Sequence, residues 1–264
     1  MHPTSLTQMD ASTTELPELD RFDLSKVADL VSIPPCLEFE AAFDSLTRVT
    51  LAQCVSLREI GAYAFARPSL KRLDLSGCCA LERIGDGAFY NSLLSVLNLN
   101  TCLALREIGD SAFFRSPLVS LDVTRCCALT RIGRCAFNDA VLRNLDLGDC
   151  IALTTIDDDA FYNAKLSRLD LRACVQLQTV GRFAFYESRL VKLFLPRTPT
   201  LAYVGKGAFS SCESEAVDTS ALALVKVEEH AFGGRDDLQM SDLEVEAFLS
   251  SELTIPGETI HVRV

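Results

Sequence analysis

Reactive side chains crowd the stretch LKRLDLSGCCALERIGDGAFYNS at residues 70–92, where the adjacent thiols of Cys78 and Cys79 follow the pair Arg72 and Asp74. Thiols beside charged groups can ligate a metal, cycle through a disulfide or supply a nucleophile. Each chemistry makes a demand on the rest of the chain. The eleven cysteines are an odd number and none is spaced C-x-x-C, which argues for reduced thiols without zinc. The three histidines, His2, His230 and His261, sit far from the thiols in the chain, and no H-E-x-x-H, G-x-S-x-G or Gly-rich phosphate loop is present. The expectation is a protein that is not an enzyme and has no cofactor and no metal.

The elements that hold these residues emerge from repetition, which must be sought before any local reading. A 24-residue period runs through the chain: Leu46, Leu70, Leu94, Leu118, Leu142, Leu166 and Leu190 are in register. So are Phe65, Phe89, Phe113, Phe137, Phe161, Phe185 and Phe209, each preceded by Ala. Cys54, Cys78, Cys102, Cys126, Cys150 and Cys174 form a third column, which Thr198 ends. Seven such copies predict a solenoid over 46–213. Leu19, Phe22, Leu24, Val27, Leu30 and Ile33 match the first half of the repeat, with Ala42-Phe43 arriving late, so 19–45 reads as a degenerate N-terminal repeat. Ala231-Phe232 arrives one residue early, "LEVEAF" recurs at Phe248, and Ile260, Val262 and Val264 alternate with polar residues, so 214–264 reads as degenerate repeats and a cap. The Ser/Thr-rich opening, 1–18, reads as a disordered leader.

Within one copy, the alternation around Leu73-Asp74-Leu75 predicts a short strand with leucines inward, and successive copies stack these strands in parallel. Leu81 and Ile84 continue the inward set. The column Gly61, Gly85, Gly109, Gly133, Gly181 and Gly205, with Asp157 as its exception, is expected to require a left-handed backbone. The Ala column implies close approach of two backbones, and the Phe column a stacked aromatic spine. A row of evenly spaced sulfurs cannot build a tetrahedral metal cluster, so the six-Cys column is read as architecture. Cys79 and Cys127 fall one residue past it, at the surface of the turn; Cys135 precedes Ala136-Phe137, and Cys36 and Cys212 lie in or beside the caps.

The segment "LxxLDLSGC" at 70–78 resembles the leucine-rich-repeat signature, and "LERIGDGAFYNS" is similar to the ending typical of the BspA-like, or treponemal-type, subfamily. The Cys column is similar to cysteine-containing leucine-rich repeats. The resemblance spans 19–248 and implies an α/β-type repeat solenoid, a right-handed coil with a parallel β-sheet on its concave face and turns or short helices on its convex side. It also implies that the column cysteines point inward and bond backbone groups of the turn. BspA-like members often serve attachment and host interaction.

Residues 72, 74 and 76 point away from Leu73 and Leu75, onto the expected concave face. The middle column there reads Thr50, Asp74, Asn98, Asp122, Asp146, Asp170, Phe194, and its neighbour reads Arg48, Arg72, Val96, Ser120, Asn144, Arg168, Lys192. The candidate partner-binding residues are Arg72, Asp74, Asn98, Asp122, Asp146, Arg168, Asp170, Lys192 and Phe194. Adjacent Asp residues repel, and two readings stay open: an acidic stripe for a basic segment or a cation, or a polar face that is merely solvated. The net charge of −11 and pI near 4.8 disfavour nucleic acid, no stretch is apolar enough to insert in a membrane, and the N-terminus lacks the features of a secretory signal. The expectation is a cytoplasmic, monomeric scaffold that binds a protein partner, with a surface or secreted adhesion protein as the alternative.

Overall fold

The computed structural model describes residues 20–27, 29–35, 45–188, 190–210 and 225–232. All of them fall in one compact unit, Met1–Gly233; the second, Gly234–Val264, lies wholly outside the described residues. The leader, Ala42-Phe43, Cys36, Cys212, Phe248, His261 and the terminal alternation Ile260, Val262, Val264 also lie outside them.

The described chain winds through about eight turns of a parallel β-solenoid, and most turns make two kinds of strand. The first kind is three residues long: β1 (Arg21–Asp23), β3 (Arg48–Thr50), β5 (Arg72–Asp74), β7 (Val96–Asn98), β9 (Ser120–Asp122), β12 (Arg168–Asp170) and β14 (Lys192–Phe194). The second is two residues long: β2 (Ser32–Ile33), β4 (Glu59–Ile60), β6 (Arg83–Ile84), β8 (Glu107–Ile108), β10 (Arg131–Ile132), β11 (Thr155–Ile156), β13 (Thr179–Val180), β15 (Tyr203–Val204) and β16 (Lys226–Val227). The two-residue strands join in one nine-stranded sheet, in register every 24 residues through the central repeats, as in Arg83↔Glu107 and Ile84↔Ile108. The three-residue strands were expected to stack without a break. Instead they form separate groups, β1-β3-β5, β7-β9 and β12-β14, and 143–147 forms no strand at all.

No helix occurs among the described residues, so the expected short helices on the convex side are absent there. The backbone explains why. Tyr63, Gly87, Ser111, Cys135, Asp159, Phe183 and Gly207 all have φ between 51° and 64°. A second left-handed column follows at Asn91, Arg115, Asp139, Asn163 and Glu187. Two left-handed residues four positions apart break any right-handed helix. The N–H groups go elsewhere: Gly87, Phe89 and Asn91 donate to Asp110, Ala112 and Phe114 of the next coil at 2.8 Å, while Ala88 and Ser92 close local turns on Gly85 and Phe89. The turns are thus a third inter-coil ladder, and the backbone's polar groups are satisfied between coils rather than within one.

The Gly column has a different cause from the one expected. Gly61, Gly85, Gly109, Gly133, Gly181 and Gly205 are not in the left-handed region; they are packed backbone to backbone. A Cβ on Gly85 would lie 2.8 Å from the Gly61 carbonyl carbon and the Ala62 nitrogen, closer than atoms tolerate. The left-handed position lies two residues later, where each of its two glycines follows an aromatic of the preceding coil: a Cβ on Gly87 would meet the Tyr63 ring at 2.2 Å, and one on Gly207 the Phe183 ring at 2.5 Å.

The core follows the sequence columns. Phe65, Phe89, Phe113, Phe137, Phe161, Phe185, Phe209 and Phe232 stack face to face at 5.1–5.6 Å with interplanar angles of 2–17°. The coil repeat sets this spacing, so a one-residue shift at Phe232 is absorbed without losing the stack. The Leu column is fully buried, and each buried aromatic or Leu contributes roughly 1.5–3 kcal/mol.

Candidate functional site

The three-residue strands carry all of the predicted site except Asp146, which lies in the strandless 143–147. Each of β7, β9, β12 and β14 buries its central residue and turns its neighbours outward; Asn98, Arg168 and Lys192 there, Arg72 and Asp74 on β5, and Asp146 are exposed, while Asp122, Asp170 and Phe194 are half-buried. The nine residues share a face, but they do not act alike.

The Asp/Asn column has a local job. Oδ1 of Asp23, Asp74, Asn98, Asp122, Asp146 and Asp170 accepts the N–H two residues on, from Ser25, Ser76, Asn100, Thr124, Gly148 and Arg172, at 2.8–3.2 Å. The strand ends where its ladder hydrogen bonds end, and a short side-chain acceptor closes the turn there. The second oxygen separates the members. Asp122 Oδ2 accepts from Asn100 Nδ2 at 2.9 Å, and Asp170 Oδ2 accepts from Arg172 at 2.6 Å and Arg168 at 3.1 Å. Hydrogen bonds from Arg172 hold the Asp170 carboxyl below the usual carboxylate range. Only on Asp74 and Asp146, among the strand-end carboxylates of 72–172, is Oδ2 left facing solvent.

Around Phe194 the face changes character. The guanidinium carbons of Arg168 and Arg172 each lie 4.7 Å from the ring centroid, so one aromatic is held between two cations that share Asp170. This end presents an apolar surface framed by positive charge, whereas Asp146, one coil before Asp170, and Asp74, farther along the column, each keep a carboxylate oxygen without a hydrogen bond among the described residues.

The thiols are built into the walls. Cys54, Cys78, Cys126, Cys150 and Cys174 donate to the carbonyls of Leu24, Leu51, Leu99, Val123 and Leu147 of the preceding coil, at 3.0–3.9 Å. Burial pushes the thiols of Cys78, Cys102, Cys126 and Cys174 up to about 12, far from thiolate chemistry at neutral pH. Cys79 and Cys127 are exposed, as their position past the ladder requires, and Cys135 is buried in its turn. His230 occupies the left-handed turn position of the last described coil. No group of three or more His, Cys, Asp or Glu able to hold a metal occurs among the described residues. Nor, among them, is any helix long and apolar enough to cross a membrane.

Two surface features escaped sequence reasoning. The outward column of the two-residue strands alternates in charge: Arg83 pairs with Glu59 and Glu107 at 3.3 Å, and Arg131 reaches Glu107, Asp110 and Asp157 at 2.9, 2.5 and 2.6 Å. Its signal is the 24-residue order Glu59, Arg83, Glu107, Arg131, which becomes meaningful once those residues are known to be neighbouring strands. The second is an apolar ridge in the turn after the Cys ladder, where Val55, Leu103, Ile151 and Val175 are 39–51% exposed beside Cys79 and Cys127.

Among curated proteins none matches the chain. Solved structures similar to it include a leucine rich cell surface protein from Faecalibacterium prausnitzii A2-165, at 16% identity and TM-score 0.38 over 70% of this chain and 57% of that one. A leucine-rich repeat protein from Bacteroides ovatus ATCC 8483 is similar at 19% identity and TM-score 0.38, over 71% of this chain and 50% of that one. The functional domain of InlJ from Listeria monocytogenes, described as including a cysteine ladder, is similar at 14% identity and TM-score 0.35, over 78% of this chain and 45% of that one. The chain spans about half the length of these structures. The family model described as BspA type leucine rich repeat region (6 copies) matches residues 39–142 and 106–239. With that match over most of its length, and with the Leu, Cys and Ala-Phe columns folded into stacked coils, the chain belongs to the BspA-type leucine-rich repeat family.

Proposed function

We propose that the chain is a non-enzymatic scaffold that holds a protein partner against the outward face of its three-residue strands. The observation that carries this reading is the uneven face itself. Its carboxylates all serve the turns, yet Asp74 and Asp146 keep a free oxygen while Phe194 is framed by Arg168 and Arg172. A partner can therefore read position along the coil from charge and apolar surface together, which a uniform solvated face does not offer. The continuous columns of like groups support a scaffold rather than an enzyme, because catalysis needs unlike groups converging on one point.

The test must separate charge from turn closure. Asn98 already closes its turn with a neutral side chain, so Asp74→Asn and Asp146→Asn remove charge and keep the acceptor. Affinity capture from the native source, read by mass spectrometry, is expected to retain a partner on the wild-type chain. A variant combining Asp74→Asn, Asp146→Asn and Phe194→Ala is expected to lose it while still unfolding cooperatively, at a urea midpoint lowered only by the loss of the half-buried ring. Equal capture by both chains would remove this face from the function.

The buried thiols, hydrogen-bonded as S–H donors, support a reducing compartment, and we extend the proposal to the cytoplasm on that ground. The second reading, an attachment protein at the cell surface, is favoured by the family match. Labelling of intact cells with an impermeant thiol reagent separates them: Cys79 and Cys127 react before lysis only if the chain is outside.

A further inference from the structure

Three arginines stand in register on the first three-residue strands without a carboxylate bonded to any of them. Arg21, Arg48 and Arg72 are partners across β1, β3 and β5, so their side chains leave neighbouring strands about 4.8 Å apart. Arg21 and Arg72 are exposed, and Arg48 is half-buried between them. Among the described residues, none of the three guanidiniums makes a hydrogen bond or an ion pair. Like charges directly opposite each other on adjacent strands are destabilising. Every other strand arginine among the described residues is bonded to carboxylates. Arg83 and Arg131 alternate with Glu59 and Glu107 and make bonds of 2.5–3.3 Å to acids. Arg168, whose in-register neighbour is Lys192, bonds Asp170 on its own strand. On β1 and β5 the matching acids, Asp23 and Asp74, close their turns on Ser25 and Ser76 and do not bond the arginines. On the central strand Thr50 takes the acid's place.

We propose that this row docks an acidic segment of the protein partner, its carboxylates spread along the row with one guanidinium to each. The proposal deepens the scaffold reading and rests on it. Even spacing over three strands suits a run of carboxylates better than one compact oxyanion. The main chain points the same way. The N–H groups of Arg48 and Arg72 are taken by the carbonyls of Asp20 and Thr47 at 3.1 Å, so neither can help cradle a phosphate. A guanidinium fork with its donors unspent grips a carboxylate bidentately. The chain's net charge of −11 repels an acidic segment at long range, so the row supplies position as well as attraction. Exposed Lys71, beside Arg72, adds to the positive charge. Asp23 and Asp74 fence the row two residues further along their strands, so the segment crosses the strands instead of following one. Val96, 58% exposed, is the next residue in the row and ends the positive run after three strands.

The test is fluorescence anisotropy of labelled hexaglutamate, hexaglutamine and a Gly/Ser hexapeptide bearing a single phosphoserine, each titrated with the full chain. Hexaglutamate is expected to bind about tenfold tighter than the other two, and to weaken about tenfold in Arg48→Gln and in the pair Arg21→Gln with Arg72→Gln. Arg106→Gln, at an exposed arginine outside the row, is expected to leave binding unchanged. Because the row repels itself, Arg48→Gln is expected to keep the wild-type urea midpoint or raise it in dilute buffer. The exposed pair carries the test if half-buried Arg48 proves necessary for folding. Equal binding of hexaglutamate and hexaglutamine, tighter binding of the phosphoserine peptide, or an equal loss in Arg106→Gln overturns the row. Capture of the native partner separates this failure from that of the scaffold. If capture is lost in the chain carrying Asp74→Asn, Asp146→Asn and Phe194→Ala but survives replacement of all three arginines by Gln, the row fails while the scaffold reading stands. If capture survives in both chains, both fail.

Discussion

At the residue scale, a side chain on this coil serves the turn before it serves anything else. The Asp column illustrates this: one side-chain oxygen closes the turn at Asp23 and on every copy from Asp74 to Asp170, Asn98 included, so charge and architecture can be separated by substitution. Asp74→Ala is expected to lower stability by about 1 kcal/mol and Asp74→Asn by much less, measured as urea midpoints. Asp159 behaves differently. It sits in a left-handed turn, and burial raises its carboxyl to about 6 from an ordinary 3.8. The proton is thus held more tightly folded than unfolded, so its contribution is full below pH 4 and is lost as pH rises through 6. Asp159→Asn is therefore expected to stabilise the protein by about 1–3 kcal/mol at pH 7 relative to its effect at pH 4, read by thermal unfolding at both values. The thiol ladder has the same sign at higher pH. Burial raises Cys54 and Cys150 and pushes Cys78, Cys102, Cys126 and Cys174 up to about 12 against an ordinary 9, so stability should fall once the unfolded chain ionises above pH 9. The inward cysteines were legible because the column resembles cysteine-containing leucine-rich repeats, which implies that orientation; the role of the Asp was not, because an Asp that closes a turn and an Asp that awaits a ligand share the same sequence position.

At the element scale, the Phe spine and the parallel strands were readable from period alone, but the connections between them were not. The Gly column shows why. Glycine is selected both by a left-handed backbone and by backbone contact, and the sequence records only the selection; contact with the coil below is the operative cause here. The seven-membered left-handed column is occupied by Tyr63, Gly87, Ser111, Cys135, Asp159, Phe183 and Gly207, a mixture with no common chemistry to find. Likewise, 142–147 has the same Leu-x-x-Leu-x-Leu pattern as its neighbours, and nothing in it announces the broken ladder. The alternating Glu and Arg of the two-residue strands form a partly exposed network, in which Arg131 meets three carboxylates. Arg131→Met is expected to cost about 1 kcal/mol in dilute buffer, and less in 1 M salt, by chemical denaturation.

At the scale of the whole molecule, each coil contacts mainly its neighbours, so stability accumulates along the stack. Phe137 lies between Phe113 and Phe161 with both rings near 5.2–5.3 Å, whereas Phe232 ends the described stack. Phe137→Ala is expected to cost about 3–5 kcal/mol and to divide unfolding into two steps, while Phe232→Ala leaves one step and costs less. The reward for this rigid core is a face whose residues keep fixed spacing along the coil, which is what a docking surface needs. The central claim is that a protein partner covers that face. Carboxylate footprinting of the chain with and without its captured partner tests it most directly. Asp74 and Asp146 are predicted to become protected from carbodiimide labelling on binding while half-buried Glu82, just before β6 of the other sheet, labels as before. Protection of Glu82 with Asp74 and Asp146 still reactive would contradict it.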